Sequence, residues 1–357
     1  MDNSQLKIET LLQEVVSKNA SDLHLQSGIP PIIRVEGALQ QSTAFSQPLT
    51  PQDTANLVYS IIDEEQKKML SQNKEIDFSI AFGSLGRFRI NAFYEKGNVA
   101  AALRLIPNQI KTIEELGLPK IVNDFAQYKQ GLVLFTGPTG SGKTTSLAAI
   151  IDKINSERSE HIITIEDPIE FTHQSKKSIV VQRELHFDTN SFSMSLRSAL
   201  RQDPDVVLIG EMRDLETIAS AITIAETGHL VFATLHTNSA SQSIDRMIDV
   251  FPAHQQPQIR SQLSNIIKAV VSQRLVPTSQ GERVVAAEIL VANSAVKNII
   301  RESKTHQLEA VIQTSSAEGM QSMDNVLAGL IKSGRVSYEE ARPYAVDPEE
   351  LDRIVRT

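Results

Sequence analysis

The spacing of apolar residues changes character along the chain, and each change marks a different kind of structure. Leu6, Leu11, Leu12, Val15 and Val16 recur at helical spacing and predict an opening helix. In "SDLHLQSGIPPIIRVEGALQ", residues 21–40, apolar and polar positions alternate around a Gly-Pro break, which predicts a strand, a turn and a second strand. Helical periodicity returns in "PLTPQDTANLVYSIIDEEQKKML". "IDFSIAFGSLGRFRINAF" then alternates on both sides of Gly83–Gly86, a hairpin signal. "RLIPNQIKTIEELGLP", with two prolines, reads as a linker. These patterns predict a small α/β domain over residues 1–105 and a linker over 106–119.

From about residue 120 short apolar runs alternate with helical stretches, the pattern of a parallel sheet wound with helices. Four runs carry it: residues 132–135, 162–165, 206–209 and 230–235. Each ends at once in polar residues, Thr136-Gly137, Glu166-Asp167, Gly210-Glu211 and His236-Thr237. Ligands of open α/β sheets bind beyond the carboxyl ends of the strands, so these ends are expected to converge on one crevice. The expected domain covers 120–290. Residues 291–357 read as a helical tail, with a capping box at Ser337–Glu340 and a helix start at Asp347-Pro348.

A length of 357 residues suits two or three domains, and 41% apolar with 22% charged residues suits a globular chain. The absence of cysteine excludes disulfides, thiolate metal sites and thiol catalysis. A net charge of −8 argues against nucleic acid as a partner. No basic-then-apolar leader and no run of about eighteen apolar residues is present, so a cytoplasmic protein without membrane insertion is expected.

The chemistry begins at "GPTGSGKTT". Gly137, Gly142, Lys143 and Thr144 match the phosphate-loop pattern between a predicted strand and a predicted helix. The loop formed by Gly137, Pro138, Thr139, Gly140, Ser141 and Gly142 is expected to point backbone N–H groups at a nucleotide's β-phosphate. Lys143 reaches the β- and γ-phosphates, the Thr144 hydroxyl ligates Mg2+, and Thr145 continues the helix start. ATP and Mg2+ are the expected substrate and cofactor. The run 206–209 ends in Gly210-Glu211 rather than in an aspartate, which leaves Glu211 to orient or deprotonate water. Asp205 precedes that run and reads as a turn residue.

Glu166 and Asp167, at the end of their own strand, suit metal and water-network roles better than Glu170. Asp167 is open to a second reading, as a helix cap followed by Pro168. His236, at the carboxyl end of its run, is the candidate γ-phosphate sensor, whereas His229, at the other end, reads as structural.

Taken together, "GPTGSGKTT", "TIEDPIEF", "LRQDPDVVLIGEMRDLET" and "AETGHLVFATLHTN" resemble the Walker A, Asp-box, atypical Walker B and His-box motifs of the secretion and type IV pilus ATPases. "ASDLHL", "PPIIRVEG", "KTHQ" and "GMQSMDNVL" extend the likeness over nearly the whole chain, toward the pilus-retraction ATPases of twitching motility. The resemblance implies a PAS-like N-terminal domain, a RecA-like ATPase domain and a homohexamer. It further implies ATP hydrolysis coupled to pilus disassembly at an inner-membrane platform protein, with the chain peripheral at the inner face of the cytoplasmic membrane. It makes Glu211 the catalytic glutamate, places Glu166 and Asp167 in the Asp box and His236 in the His box, and marks Arg87, Arg89 and Arg104 as arginines that reach a nucleotide across the ring. An arginine-bearing strand that is merely solvated fits the same residues. The retraction motif of the family commonly reads Ala-Ile-Arg-Asn-Leu-Ile-Arg, where this chain has "AVKNIIR" at 295–301. The extra N-terminal domain and cysteine-bound zinc of the extension ATPases are not matched. An accessory retraction ATPase, a type II secretion ATPase and a nucleotide-gated scaffold with little turnover are the alternatives.

Overall fold

The computed structural model describes residues 6–35, 37–83, 86–106 and 109–356. The chain divides into two units: Met1–Gln109 with Pro168–Thr172, and Ile110–Asp167 with His173–Thr357.

In the first unit, helix α1 (Ile8–Ser17) is followed by β1 (Asp22–Leu25), β2 (Ile32–Val35) and β3 (Ala38–Gln41). The third of these was not expected from the pattern. Helical periodicity over 48–70 divides into α2 (Pro51–Tyr59) and α3 (Glu64–Asn73) because Thr50 and Asp63 each close a capping box. β4 (Glu75–Phe82), β5 (Gly86–Glu95) and β6 (Asn98–Ile106) complete an antiparallel sheet in the order β3-β2-β1-β6-β5-β4. The β4–β5 hairpin forms as the alternation predicts, although its tip at 84–85 lies outside the described residues. Leu11, Leu12 and Val15 of α1 pack with Leu23, Phe78, Phe88 and Leu103 of the sheet. One carboxylate pins α1 in place: Glu14 accepts from Lys18 Nζ at 2.7 Å, Thr43 N and Oγ1 at 2.8 Å each, Ala44 N at 3.2 Å, and the Ser42 hydroxyl.

The second unit opens with residues 110–119, expected as part of a linker. They instead contribute Ile113 and Leu118 to its core. After the short α4 (Val122–Phe125) come β7 (Gly131–Thr136), α5 (Lys143–Glu157), β8 (His161–Glu166), β9 (Ile179–Glu184), α6 (Phe192–Ala199), β10 (Val206–Ile209), α7 (Leu215–Glu226), β11 (Leu230–Leu235), α8 (Ala240–Asp249) and α9 (Gln256–Ile266). A hairpin, β12 (Ile267–Pro277) and β13 (Arg283–Val291), closes the sheet. The order is β13-β12-β7-β11-β10-β8-β9, parallel except for β13. All four runs singled out by sequence are strands, buried on both faces as a helix-covered parallel sheet requires.

The C-terminal helices belong to this same unit. α10 (Ser294–Arg301) and α11 (Leu308–Thr314) pack Val296, Ile300, Leu308 and Ile312 onto one face of the sheet. α12 (Met323–Lys332), α13 (Tyr338–Ala341) and α14 (Pro348–Arg356) gather around the far end of the β12–β13 hairpin. Two ties hold the chain between the last two helices. Arg274 on β12 donates to the Tyr344 carbonyl, and the buried Asp324 carboxylate accepts the N–H groups of Val346 and Asp347 at 2.8 and 3.0 Å. The capping box at Ser337 and the Asp347 start of α14 are both formed.

Candidate active site

β7 delivers the chain to a loop that only glycines can trace. Gly137 sits at φ +139°, where a Cβ would lie 2.3 Å from the Gln273 carbonyl oxygen. Gly142, at φ +88°, starts α5 without a side-chain cap, which leaves the first N–H groups of the helix for an anionic ligand. Pro138, Thr139 and Gly140 are exposed, Ser141 is buried, and Thr144 and Thr145 are half-buried on the first helical turn. The buried Lys143 ammonium donates to the carbonyls of Gly137 and Pro138 at 2.8 and 3.0 Å, which holds it over the loop. Behind the loop, Thr136 Oγ1 donates to Ser272 Oγ at 2.9 Å.

β11 lies between β7 and β10, so His236 emerges between the phosphate loop and Gly210-Glu211. The structure brings the second pair together: His236 Nε2 lies 3.1 Å from Glu211 Oε1, and Arg213 Nη2 lies 2.7 Å from Oε2. Burial works to raise the Glu211 pKa. Arg213 and His236 outweigh it and hold the carboxyl below the ordinary range, so Glu211 is ionised at neutral pH. The Thr234 hydroxyl donates to the Gly210 carbonyl at 2.5 Å and the Met212 N–H donates to the Thr234 carbonyl at 3.1 Å, locking this turn to β11.

Glu166 ends β8 against the same turn. A Cβ on Gly210 would lie 3.1 Å from Glu166 Cα, so glycine permits the close approach. The Glu166 carboxylate itself is buried and accepts from Thr164 Oγ1 at 2.6 Å and Gln182 Nε2 at 3.2 Å, directed along the strand and toward β9. Asp167 follows in a bend. No helix begins there, so the capping alternative with Pro168 is not realised. The Asp167 charge is felt by Arg213. Glu170 falls in the segment assigned to the first unit. His229 Nδ1 lies 3.0 Å from both the Ile224 carbonyl and the Thr227 hydroxyl, a structural setting, and Asp205 accepts the His161 N–H at 2.8 Å in a turn.

The three candidate arginines lie on the sheet of the first unit and are each partnered there. Arg87 bonds Ser79, Arg89 Nη2 meets Asp77 at 2.7 Å, and Arg104 Nε meets Asp22 at 2.9 Å. Sequence reasoning missed Arg213, Gln182, Arg274 and Tyr344. The last two join Pro138–Ser141 and Asn238 around an open cleft of about 380 Å³. Among the described residues, no cluster of three or more His, Asp or Glu side chains is arranged to hold a metal, and no helix is long and apolar enough to cross a membrane.

A parallel sheet with a glycine-walled phosphate loop and an ionised glutamate at a neighbouring strand end defines a P-loop nucleotide-binding protein, and the chain belongs to the type II/IV secretion system protein family, whose model matches residues 4–341. Among its relatives is the type IV pilus retractation ATPase PilT of Pseudomonas aeruginosa, 48% identical over 344 residues, which cover 96% of this chain and 99% of that one. A twitching motility protein of Neisseria gonorrhoeae is 49% identical over 322 residues, covering 90% of this chain and 86% of the relative. The crystal structure of the pilus retraction motor PilT with bound ADP superposes with a TM-score of 0.92 at 48% identity, covering 98% of this chain and all of the other.

Proposed function

We propose that this chain is an ATPase that drives disassembly and retraction of type IV pili, working as a homohexamer at the inner face of the cytoplasmic membrane against an inner-membrane platform protein. The observation that carries the hydrolytic part is the Glu211 carboxylate, held ionised between Arg213 and His236 and separated from the phosphate-loop strand only by β11. The pilus-directed part rests on likeness to retraction ATPases along nearly their full length.

In this reading the loop from Gly137 to Gly142 and the start of α5 bind the β-phosphate, and Lys143 turns from its loop carbonyls toward the β- and γ-phosphates. Glu211 takes the proton of the attacking water, and His236 stands beside the leaving γ-phosphate. The Thr144 hydroxyl and the Asp167 carboxylate are hard oxygen donors of the kind Mg2+ selects, and they would hold it beside the nucleotide phosphates. When bound, Mg2+ neutralises charge on the phosphate oxygens. Glu166, turned toward Thr164 and Gln182, shapes the water network from one side. Arg87, Arg89 and Arg104 act on the nucleotide of a neighbouring subunit. That role requires them to exchange Ser79, Asp77 and Asp22 for phosphate.

The decisive variant is Glu211→Gln, which keeps shape but cannot accept a proton. It is expected to bind ATP normally and to lose turnover by about 10²-fold or more, read as phosphate release by the purified chain. Turnover within about threefold of wild type would remove Glu211 from the role. In cells, loss of the gene is expected to leave pili that extend but do not retract.

A further inference from the structure

Across the carboxyl edge of the second sheet, Leu235, Thr136, Ser272 and Glu288 stand in register on β11, β7, β12 and β13. The last three are polar positions in a layer otherwise built from Val, Ile, Leu and Ala, and all are buried, Glu288 to 5% exposure. Two bonds run along this row. Thr136 Oγ1 donates to Ser272 Oγ, and Glu288, the register partner of Ser272 on the next strand, accepts the backbone N–H of Ala240 on Oε1 at 2.7 Å. Ala240 is the first residue of α8, and only His236, Thr237, Asn238 and Ser239 separate it from the end of β11.

A buried carboxylate is an unusual partner for one helix-start N–H, since such groups ordinarily face water or a capping side chain. α8 already has its cap, because Ser239 Oγ accepts from Gln242 N at 3.3 Å. Burial pushes the Glu288 pKa up, and Glu309 adds to this; the Ala240 N–H, Arg274 and Ser272 oppose it. What the Glu288 bond adds is a fixed point. It ties the start of α8 to the sheet row that also contains the last residue of the phosphate-loop strand.

We infer that Glu288 is a positioning residue for hydrolysis: through the N-terminus of α8 it sets the segment carrying His236 against Glu211, without touching the nucleotide. The inference rests on Glu211 and His236 being the hydrolytic pair.

The test compares Glu288→Gln, Glu288→Asp and Glu288→Ala in the full chain, measuring kcat, KM and ATP affinity, with Glu211→Gln alongside. The glutamine oxygen still accepts from Ala240, so Glu288→Gln is expected to turn over within about threefold of wild type. Glu288→Asp withdraws the acceptor by one methylene and is expected to lower kcat by about 10- to 10²-fold, the scale of a misplaced catalytic group, with ATP affinity within about twofold. Glu288→Ala is expected to fall at least as far. Should it fail to fold, the Gln and Asp variants decide the matter between them. Equal activity of Gln and Asp, or affinity falling in step with kcat, would assign Glu288 to packing and overturn the inference. An inactive Glu211→Gln beside a fully active Glu288→Asp overturns this inference alone, whereas an active Glu211→Gln overturns the hydrolytic reading and the inference with it.

Discussion

At Glu211 two opposite influences meet in one carboxyl. Burial raises its pKa and the Arg213–His236 pair lowers it further than burial can raise it. Removing Arg213 leaves His236 to oppose burial alone, so the pKa moves up and the base is protonated at a higher pH than before. Arg213→Ala is therefore expected to shift the acid limb of the kcat/KM profile for ATP toward higher pH and to lower turnover at neutral pH by about 10-fold. A pH–rate series checks this, and an unmoved acid limb would reduce Arg213 to a surface ion pair. The phosphate loop was legible in the sequence because everything that defines it lies within nine consecutive residues. Arg213 was not, although it stands two positions from Glu211, because its effect depends on which oxygen it meets. Glu166 shows the same limit: its place at a strand end could be read, but its direction is set by Gln182 on a neighbouring strand.

Among the elements, the four buried strands were legible because continuous apolar runs ending in polar residues are what a doubly covered parallel sheet demands. β9 escaped notice because it borders the sheet with Ile179 and Val181 exposed, so no buried run marks it. The β12–β13 hairpin escaped because its polar residues, Ser272, Gln273 and Glu288, are buried rather than turned to solvent. α10 corrects a spacing argument. Val296 and Ile300 are buried and Ile299 partly so, as the pattern requires, and Lys297 and Arg301 share the outer face. Helical spacing alone would put Lys304, at i+7 from Lys297, in the same row, but the helix ends at Arg301 and Ser303 takes φ +60°, so Lys304 leaves it. It pairs with Glu302 at 2.8 Å instead. If the outer face of α10 couples hydrolysis to retraction, reversing Lys297 and Arg301 to glutamate should leave ATP turnover within about twofold while abolishing twitching. Lys304→Glu alone should change neither. Normal twitching in the double variant would mark the face as solvated surface.

For the molecule as a whole, acid should act unequally on the two units. In the first, burial of Glu14 is outweighed by Lys18, Ser42 and Thr43, which take its pKa from 4.5 to about 2, and Asp22 is lowered in the same way by Ser21 and Arg104. A depressed carboxyl stabilises the fold above its unfolded value and ceases to do so as pH falls through the folded one, so this contribution drains away between pH 4.5 and about 2. In the second unit the buried Glu288 and Asp324 are raised by burial, and protonating them favours the folded state. It has acid-sensitive groups too: Glu211, held low by Arg213 and His236, and His173, driven by burial from 6.5 to about 4. The His173 contribution is already lost by the time Glu14 begins to protonate fully, while the relief at Glu288 and Asp324 offsets part of the loss. Below pH 4 the first unit is therefore expected to open before the second. Hydrogen exchange followed by peptide mapping checks the order, and simultaneous opening would show that the units unfold as one.

The ties between α13 and α14 carry a consequence for how freely this stretch can drift over generations. Arg274 and Asp324 grip main-chain atoms of Tyr344, Val346 and Asp347, and main-chain atoms are the same whatever the side chain. Val346, its side chain partly in solvent, gives its N–H to Asp324, so the tie survives most substitutions there except proline, which has no N–H to give. The selective constraint falls elsewhere, on the two residues that do the gripping.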